Sequence, residues 1–188
     1  MLNQADSFFM GLAVEEAMKS TCISTRVGAV LVQDHDNLPN GKKWVHYLSA
    51  SNGVASKEPG DQCNDCCKHF LNDHNKMLSQ TNRPAHSAWS DANEIHAEMR
   101  VIMDFYLNGG TLKGATLYTT ASPCDSCTKH LELYALKGAI SRVVYLDKYD
   151  RGGDDWIHRL KKFGVTVDKI ERQDLNLDFG NITFSNVE

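Results

Sequence analysis

The sequence offers no stretch suited to crossing a membrane, since no apolar run approaches the roughly 18 residues a spanning helix needs. It begins Met1-Leu2-Asn3-Gln4-Ala5-Asp6, without the basic start and apolar run of a secretory signal. No internal repeat, low-complexity run or linker-like segment interrupts it, which predicts a single domain over residues 1–188. An excess of basic residues is also missing. Lys and Arg number 20 against 24 Asp and Glu, interspersed along the chain, for a net charge of −4. The electrostatic footprint of a nucleic-acid-binding surface is therefore absent, and a small substrate is favoured over a polynucleotide. Together these absences predict a cytoplasmic protein with neither a membrane nor a nucleic-acid partner.

What is there is an ordinary globular composition, 41% hydrophobic and 23% charged, over a length able to bury a substantial core. Six cysteines stand at positions 22, 63, 66, 67, 124 and 127. In a reducing compartment such a set points to metal binding rather than disulfides.

Residues 4–20 read as an amphipathic helix with Ala5, Phe8, Phe9, Leu12, Ala13 and Ala17 at helical spacing. Val27 to Val32 is a continuous apolar run, as a buried strand should be. After a polar connection over 34–43 with Pro39 and Asn40-Gly41, residues 44–50 read as a second strand, antiparallel to the first, with a turn at Asn52-Gly53. Residues 54–92 are polar, rich in Cys and His, and lack apolar periodicity; a segment of this length needs something to order it. A second, structural zinc is the economical candidate, because metal binding can order a segment that buries little apolar surface. Downstream come a helix over 94–108 with Ile95, Met99, Ile102, Met103 and Tyr106 on one face, a strand over 115–120 and a helix over 124–137. A strand over 141–146, a helix over 154–163 and a strand over 165–170 complete the pattern, before a polar tail after Gln173. This order predicts an α/β fold, a mixed sheet with helices on both faces.

Two short stretches carry the chemistry. His96-Ala97-Glu98 and Pro123-Cys124-Asp125-Ser126-Cys127 supply one imidazole and two thiolates, three protein ligands for a tetrahedral zinc. Three ligands rather than four leave a position for water, the mark of a catalytic site. Glu98, two residues past the histidine, stands where a general acid/base for that water belongs. A C-x-x-C alone also suits half of a structural zinc site or a redox pair. The two motifs together, in this order, with Pro123 before the first cysteine and each opening a helical stretch, favour the catalytic reading. Helix N-termini there would favour the negative charge of thiolate and hydroxide.

The pairing resembles the H-x-E…P-C-x-x-C signature of zinc deaminases that act on nucleobases. The whole chain resembles the cytidine deaminase superfamily and, within it, the phage-type deoxycytidylate (dCMP) deaminases. The resemblance runs through Val27-Gly28-Ala29-Val30, Ser51-Asn52-Gly53, Ala85 to Ser90, Asn93 to Glu98, Ser122-Pro123-Cys124-x-x-Cys127, Val144-Tyr145 and Tyr149-Asp150. Its specific part is the block around His86 and Glu94, which general deaminases do not carry. The resemblance implies a cytidine deaminase-like three-layer α-β-α sandwich with a mixed five-stranded sheet. It implies hydrolytic deamination of dCMP to dUMP and ammonia, in pyrimidine deoxynucleotide metabolism, with zinc held by His96, Cys124 and Cys127. Glu98 would take the proton of the attacking water and deliver it to ring N3, then pass one to the departing ammonia. The backbone of Ala97 and Ser122 would lie along the pyrimidine edge. Asn52 matches an asparagine on the sugar-phosphate side, and it equally suits a plain turn residue before Gly53. Arg26 and Tyr149 stand where relatives read the monophosphate, although Arg26 also suits a solvated residue at a strand start.

By the same resemblance the second zinc takes Cys22, one cysteine of the 63–67 cluster, His86 and Glu94. Cys63 is chosen by its position after Asn52-Gly53, with Cys66 as its rival; His69 and His74 read as surface residues. Relatives are hexamers or trimers of dimers regulated by dCTP and dTTP with Mg2+, which makes a homo-oligomer and those effectors part of the expectation. The chain departs from the family at Ala50-Ser51-Asn52-Gly53-Val54-Ala55, at Arg100, at Leu107 and in a longer helix after Cys127. These departures point to a variant substrate, such as a 5-substituted dCMP, or to altered regulation. Competing readings are deamination of cytidine, guanine or tRNA adenosine, and a non-catalytic zinc-binding domain of the same fold. Net charge argues against the tRNA version, and Glu98 argues against a purely structural site.

Overall fold

The computed structural model describes residues 4–35, 44–58, 60–72, 74, 78–149 and 155–175. The expected turn at Pro39 and Asn40-Gly41, Asp150, the start of the 154–163 helix and the tail beyond Leu175 lie outside them. Helix α1 (Gln4–Ala17) is followed by strands β1 (Gly28–His35), β2 (Trp44–Ser51) and β3 (Gly53–Val54), then by helices α2 (Cys63–Cys66) and α3 (Arg83–Asn93). Strand β4 (Glu94–Ile95), α4 (Ala97–Leu107), β5 (Ala115–Ala121), α5 (Asp125–Leu136), β6 (Ile140–Asp147), α6 (Asp155–Lys162) and β7 (Thr166–Lys169) complete the order. Among the described residues the main sheet has five strands in the order β2-β1-β5-β6-β7. β1 is antiparallel to β2 and β5, whereas β5, β6 and β7 run parallel. The sheet is mixed, as expected.

The continuous apolar run of β1 exists because both of its faces are covered. Ala29 and Leu31, with Leu117 and Val143, face the layer of α4, α5 and α6. Val30 and Val32, with Tyr118, Val144 and Leu146, face α1 on the other side. The result is the three-layer α-β-α arrangement the resemblance implied.

Helix α1 keeps its predicted period but not its predicted phase. Asp6, Phe9, Met10, Ala13 and Val14 are buried, whereas Phe8 is 57% exposed. Two contacts set that phase. Gly28 lets the helix lie directly on β1, since a Cβ there would sit 2.0 Å from the Ala13 carbonyl oxygen. The buried Asp6 carboxylate receives a bidentate pair of hydrogen bonds from Arg142 at 2.6 and 3.2 Å and one from the Tyr118 hydroxyl at 2.8 Å. Arg142 also donates to Asp168 at 2.7 Å, which ties α1 to β5, β6 and β7.

Two further elements differ from expectation. The 94–108 helix starts only at Ala97, because Glu94 and Ile95 are drawn into an antiparallel ladder with Val54 and Gly53. Its buried face is Ala97, Glu98, Val101, Ile102 and Phe105, leaving Met103 and Tyr106 exposed. Within the irregular 54–92 segment lies an unforeseen helix, α3. It has Pro84 in its first turn, a favoured place for proline, yet buries only His86, so apolar periodicity could not reveal it.

Asp6→Ala leaves the Arg142 guanidinium and Tyr118 hydroxyl without their shared partner in a largely buried setting. We expect it to lower unfolding free energy by about 3 kcal/mol in urea denaturation. A loss below about 1 kcal/mol would mean that Asp168 alone suffices to hold Arg142.

Candidate active site

The parallel half of the sheet delivers the chain to the site. β5 ends at Ala121, and Ser122 and Pro123 lead to Cys124, the residue that precedes α5. His96 stands in the same relation to α4, with extended backbone at φ −66° and ψ 146°. Two helix N-termini therefore meet beyond the carboxyl end of a strand, where open α/β sheets place their ligands. His96 Nδ1 lies 3.4 Å from Cys124 Sγ and 3.2 Å from Cys127 Sγ. All three donors lie within 4.8 Å of one another, the spacing of ligands around one small ion.

The electrostatics of this group are those of a cation site. The Cys124 thiol is pulled down to about 3, first by its hydrogen bond with Cys127, with His96 adding to the effect against burial. The Cys127 thiol is pushed far up by the same shared hydrogen bond and by burial. The imidazole beside Cys124 is raised to about 9, first by its hydrogen bond with that sulfur. Glu98, in the first turn of α4, is only 4% exposed, and burial pushes its carboxyl above the usual carboxylate range.

A cleft of about 520 Å³, counted with its open mouth, is lined by His96, Ala97, Glu98, Ser122, Cys124, Asn52 and Tyr149. Each of these was anticipated from the sequence, and the fold brings them together. Ser122 is buried, and its hydroxyl accepts a hydrogen bond from the Tyr149 amide at 2.8 Å. The Asn52 amide is mostly engaged in holding the chain. Its Oδ1 accepts from Ser20 Oγ and from the Val27 amide, both at 2.8 Å, and its Nδ2 donates to the Thr25 carbonyl at 3.0 Å. That leaves one amide hydrogen for a ligand. Arg26 is exposed and is not part of the lining, although Thr25 and Val27 on either side are. Sequence reasoning did not find Ser24, Thr25 or Ser90, which also line the cleft. No periodicity or motif marks Ser24 or Thr25, which the fold brings in with the loop after Cys22; Ser90 lies in α3, inside the Ala85 to Ser90 block, and no role was assigned to it.

A second cluster opens onto the same cleft through Cys22, His86 and Glu94. Cys22, Cys63 and His86 hold their donor atoms within 4.8 Å of one another, with Cys63 Sγ 3.3 Å from His86 Nε2. The Cys22 thiol is lowered by its hydrogen bond with Cys63, whose own thiol is raised by that bond and by burial. Nearby, Glu94 Oε1 is buried and, among the described residues, has no hydrogen-bond partner, while Oε2 accepts one from Ser90. Two thiols and an imidazole are donor types suited to a metal ion, and the carboxylate of Glu94 stands nearby, outside that 4.8 Å group. Cys66, the rival to Cys63, instead donates to the Gly60 carbonyl at 3.1 Å, and His69 and His74 are exposed. Arg100 donates to the carbonyls of Gly53 and Val54 at 2.7 and 2.6 Å, a connection no local pattern announces.

Comparison with known proteins agrees with this arrangement. A family model described as the cytidine and deoxycytidylate deaminase zinc-binding region matches residues 3–146. The chain is 30% identical to the deoxycytidylate deaminase of Enterobacteria phage T4 over 188 residues, covering 94% of this chain and 95% of that one. It is 32% identical to the deoxycytidylate deaminase of Mycobacterium phage D29 over 140 residues, covering 74% of this chain and 92% of that one. The dCMP deaminase of cyanophage S-TIM5, solved in complex with dCMP and dUMP, shares the fold at a TM-score of 0.58 and 20% identity, over 90% of this chain and 99% of that one. With the matched region holding both His96-Ala97-Glu98 and Cys124-x-x-Cys127, the chain belongs to the cytidine and deoxycytidylate deaminase family, a family of hydrolases.

Proposed function

We propose that the protein hydrolyses dCMP to dUMP and ammonia, with zinc held by His96 Nδ1, Cys124 and Cys127. The observation that carries the reading is the buried Glu98 carboxyl lining the same cleft as His96 and Cys124, whose donor atoms lie within 4.8 Å of each other and of Cys127 Sγ. The names of the phage relatives and the dCMP and dUMP of the cyanophage complex supply the substrate class. Zinc at this donor set supplies Lewis acidity, bringing the pKa of water towards neutrality so that it can attack an amidine carbon.

The chain's own residues do the rest. Glu98, kept from solvent and with its proton affinity raised by burial, takes a proton from the attacking water and passes it to ring N3. It then takes up the remaining proton of that water oxygen, now bonded to C4, and delivers it to the amine, which leaves as ammonia while the C4 carbonyl forms. Ala97 and Ser122 border the pyrimidine edge with their backbones. The free Asn52 amide hydrogen and the Tyr149 ring serve the sugar-phosphate side. No Lys or Arg is found in the described lining, so the exposed Arg26 guanidinium provides the positive charge for phosphate at the mouth.

The second site, Cys22, Cys63, His86 and Glu94, takes a structural zinc that orders the 54–92 segment of the single domain. The departures at Ala50 to Ala55, Arg100 and Leu107 favour either acceptance of a 5-substituted dCMP or a change in the family's regulation by dCTP and dTTP with Mg2+, and assembly into a homo-oligomer of hexamer type completes the reading.

Ammonia release should be seen with dCMP and not with deoxycytidine; silence on both sinks the assignment. Parallel reactions with 5-hydroxymethyl-dCMP, and with dCTP plus Mg2+, decide the 5-substituent and the regulation. Glu98→Gln should lose about two to four orders of magnitude in kcat while keeping its zinc. Retained turnover in that variant would refute the proton-shuttle role. Cys22→Ala should carry one equivalent of zinc instead of two and melt at a lower temperature, and two retained equivalents would remove the second site.

A further inference from the structure

The family reading leaves Arg100 without a role, and its geometry gives it one. It sits one turn beyond His96 on α4, with its backbone amide donating to the His96 carbonyl at 2.9 Å. Its side chain leaves the helix and donates from Nη2 to the carbonyls of both Gly53 and Val54, at 2.7 and 2.6 Å. Both acceptors belong to β3, which also pairs with Glu94 and Ile95 just before His96. Charge-assisted bonds to two successive carbonyls hold that short ladder against the helix more firmly than its own few backbone bonds can.

From β3 a continuous chain of hydrogen bonds leads into the cleft. The residue before Gly53 is Asn52, whose amide nitrogen donates to the Val27 carbonyl at 2.9 Å. Its side chain accepts from the Val27 amide at 2.8 Å and donates to the Thr25 carbonyl at 3.0 Å. Ser20 Oγ closes the loop by donating to the Asn52 carbonyl at 2.9 Å. Thr25, Val27 and Asn52 line the cleft, and so do His96, Ala97 and Glu98 of the α4 start. Arg100 is thus the tie between the helix that carries the reacting groups and the loop that completes the cleft.

We infer that Arg100 is a positioning residue that sets the placement of Asn52, Thr25 and Val27 against α4, and thereby the affinity for substrate. The inference rests on the deaminase reading for its kinetic consequence and on the structure alone for its mechanical one. Its side-chain bonds reach β3 directly and His96 only through β4, while His96 and Glu98 stay fixed at the start of α4 beside Cys124 and Cys127, so loosening it moves the binding wall more than the reacting groups. A lysine cannot reproduce the effect in full, because a single ammonium on a flexible stem lacks the planar guanidinium's fixed geometry.

The test compares wild type with Arg100→Met and Arg100→Lys by steady-state kinetics on dCMP and by amide hydrogen exchange. For Arg100→Met the expected result is a KM raised about tenfold with kcat within about threefold, the pattern of lost uniform binding. Arg100→Lys should fall between. Amides of residues 25–27 and 52–54 should exchange faster in both variants, while those of β5 and β6 do not change. A lowered melting temperature with unchanged KM would make Arg100 merely structural and overturn the inference, as would a loss confined to kcat. If wild type does not turn over dCMP, the deaminase reading fails on that count alone. Exchange then decides: unaltered protection of 25–27 and 52–54 overturns the role of Arg100, and faster exchange there supports it. Should Arg100→Met fail to fold, Arg100→Lys and Arg100→Gln are read in the same two ways.

Discussion

The close approach of two thiol sulfurs and an imidazole beside a buried carboxyl is the constraint on which this structure turns. Cys124 and Cys127 cannot both ionise in a buried place without a cation, and the buried Glu98 carboxyl adds further negative charge next to them. The surrounding fold answers that problem. β5 ends where α5 begins, α4 begins beside it, and the positive ends of both helices face the sulfurs. The same helix start that offers His96 also buries Glu98 two residues further along. The His96 imidazole and the Glu98 carboxyl are in this way fixed relative to each other by a single stretch of backbone.

The pattern repeats at the second cluster, with donors drawn from distant parts of the chain. Cys22 comes after α1, Cys63 opens α2, His86 is the buried residue of α3, and Glu94 lies in β4. These elements bury little apolar surface, and the small cluster of Cys22, Cys63 and Cys67 with Phe70 and Trp89 at its edge is their core. Donor atoms of metal-binding type thus gather where the hydrophobic effect has little area to act. Because Cys22, His86 and Glu94 also line the cleft, order in this segment and the shape of the active site are one property.

The rest of the molecule holds these parts still. The apolar layers on either side of the sheet supply the bulk of the burial, while the Asp6–Arg142–Asp168 group fixes how α1 sits on it. Asn52 and Arg100 do for the cleft what that group does for α1: each commits polar groups to backbone atoms of a neighbouring segment, and so converts loops into walls.

The grouping of His96, Cys124 and Cys127 and the placing of Glu98 beside it were legible in the sequence, because each motif is a short contiguous stretch. The mixed sheet was legible too, since apolar runs and alternation are local consequences of which faces are covered. What only the tertiary structure decided are properties of pairing over long distances. The choice of Cys63 over Cys66 depends on which way a four-residue helix turns towards Cys22 and His86. The late start of α4 depends on Glu94 and Ile95 finding Val54 and Gly53, and the phase of α1 on Asp6 meeting Arg142 across 136 positions. Helix α3 stayed hidden because it buries a single residue and so carries no apolar period. Local pattern encodes what each segment can be; the energy that selects among those options comes from partners that only folding brings near.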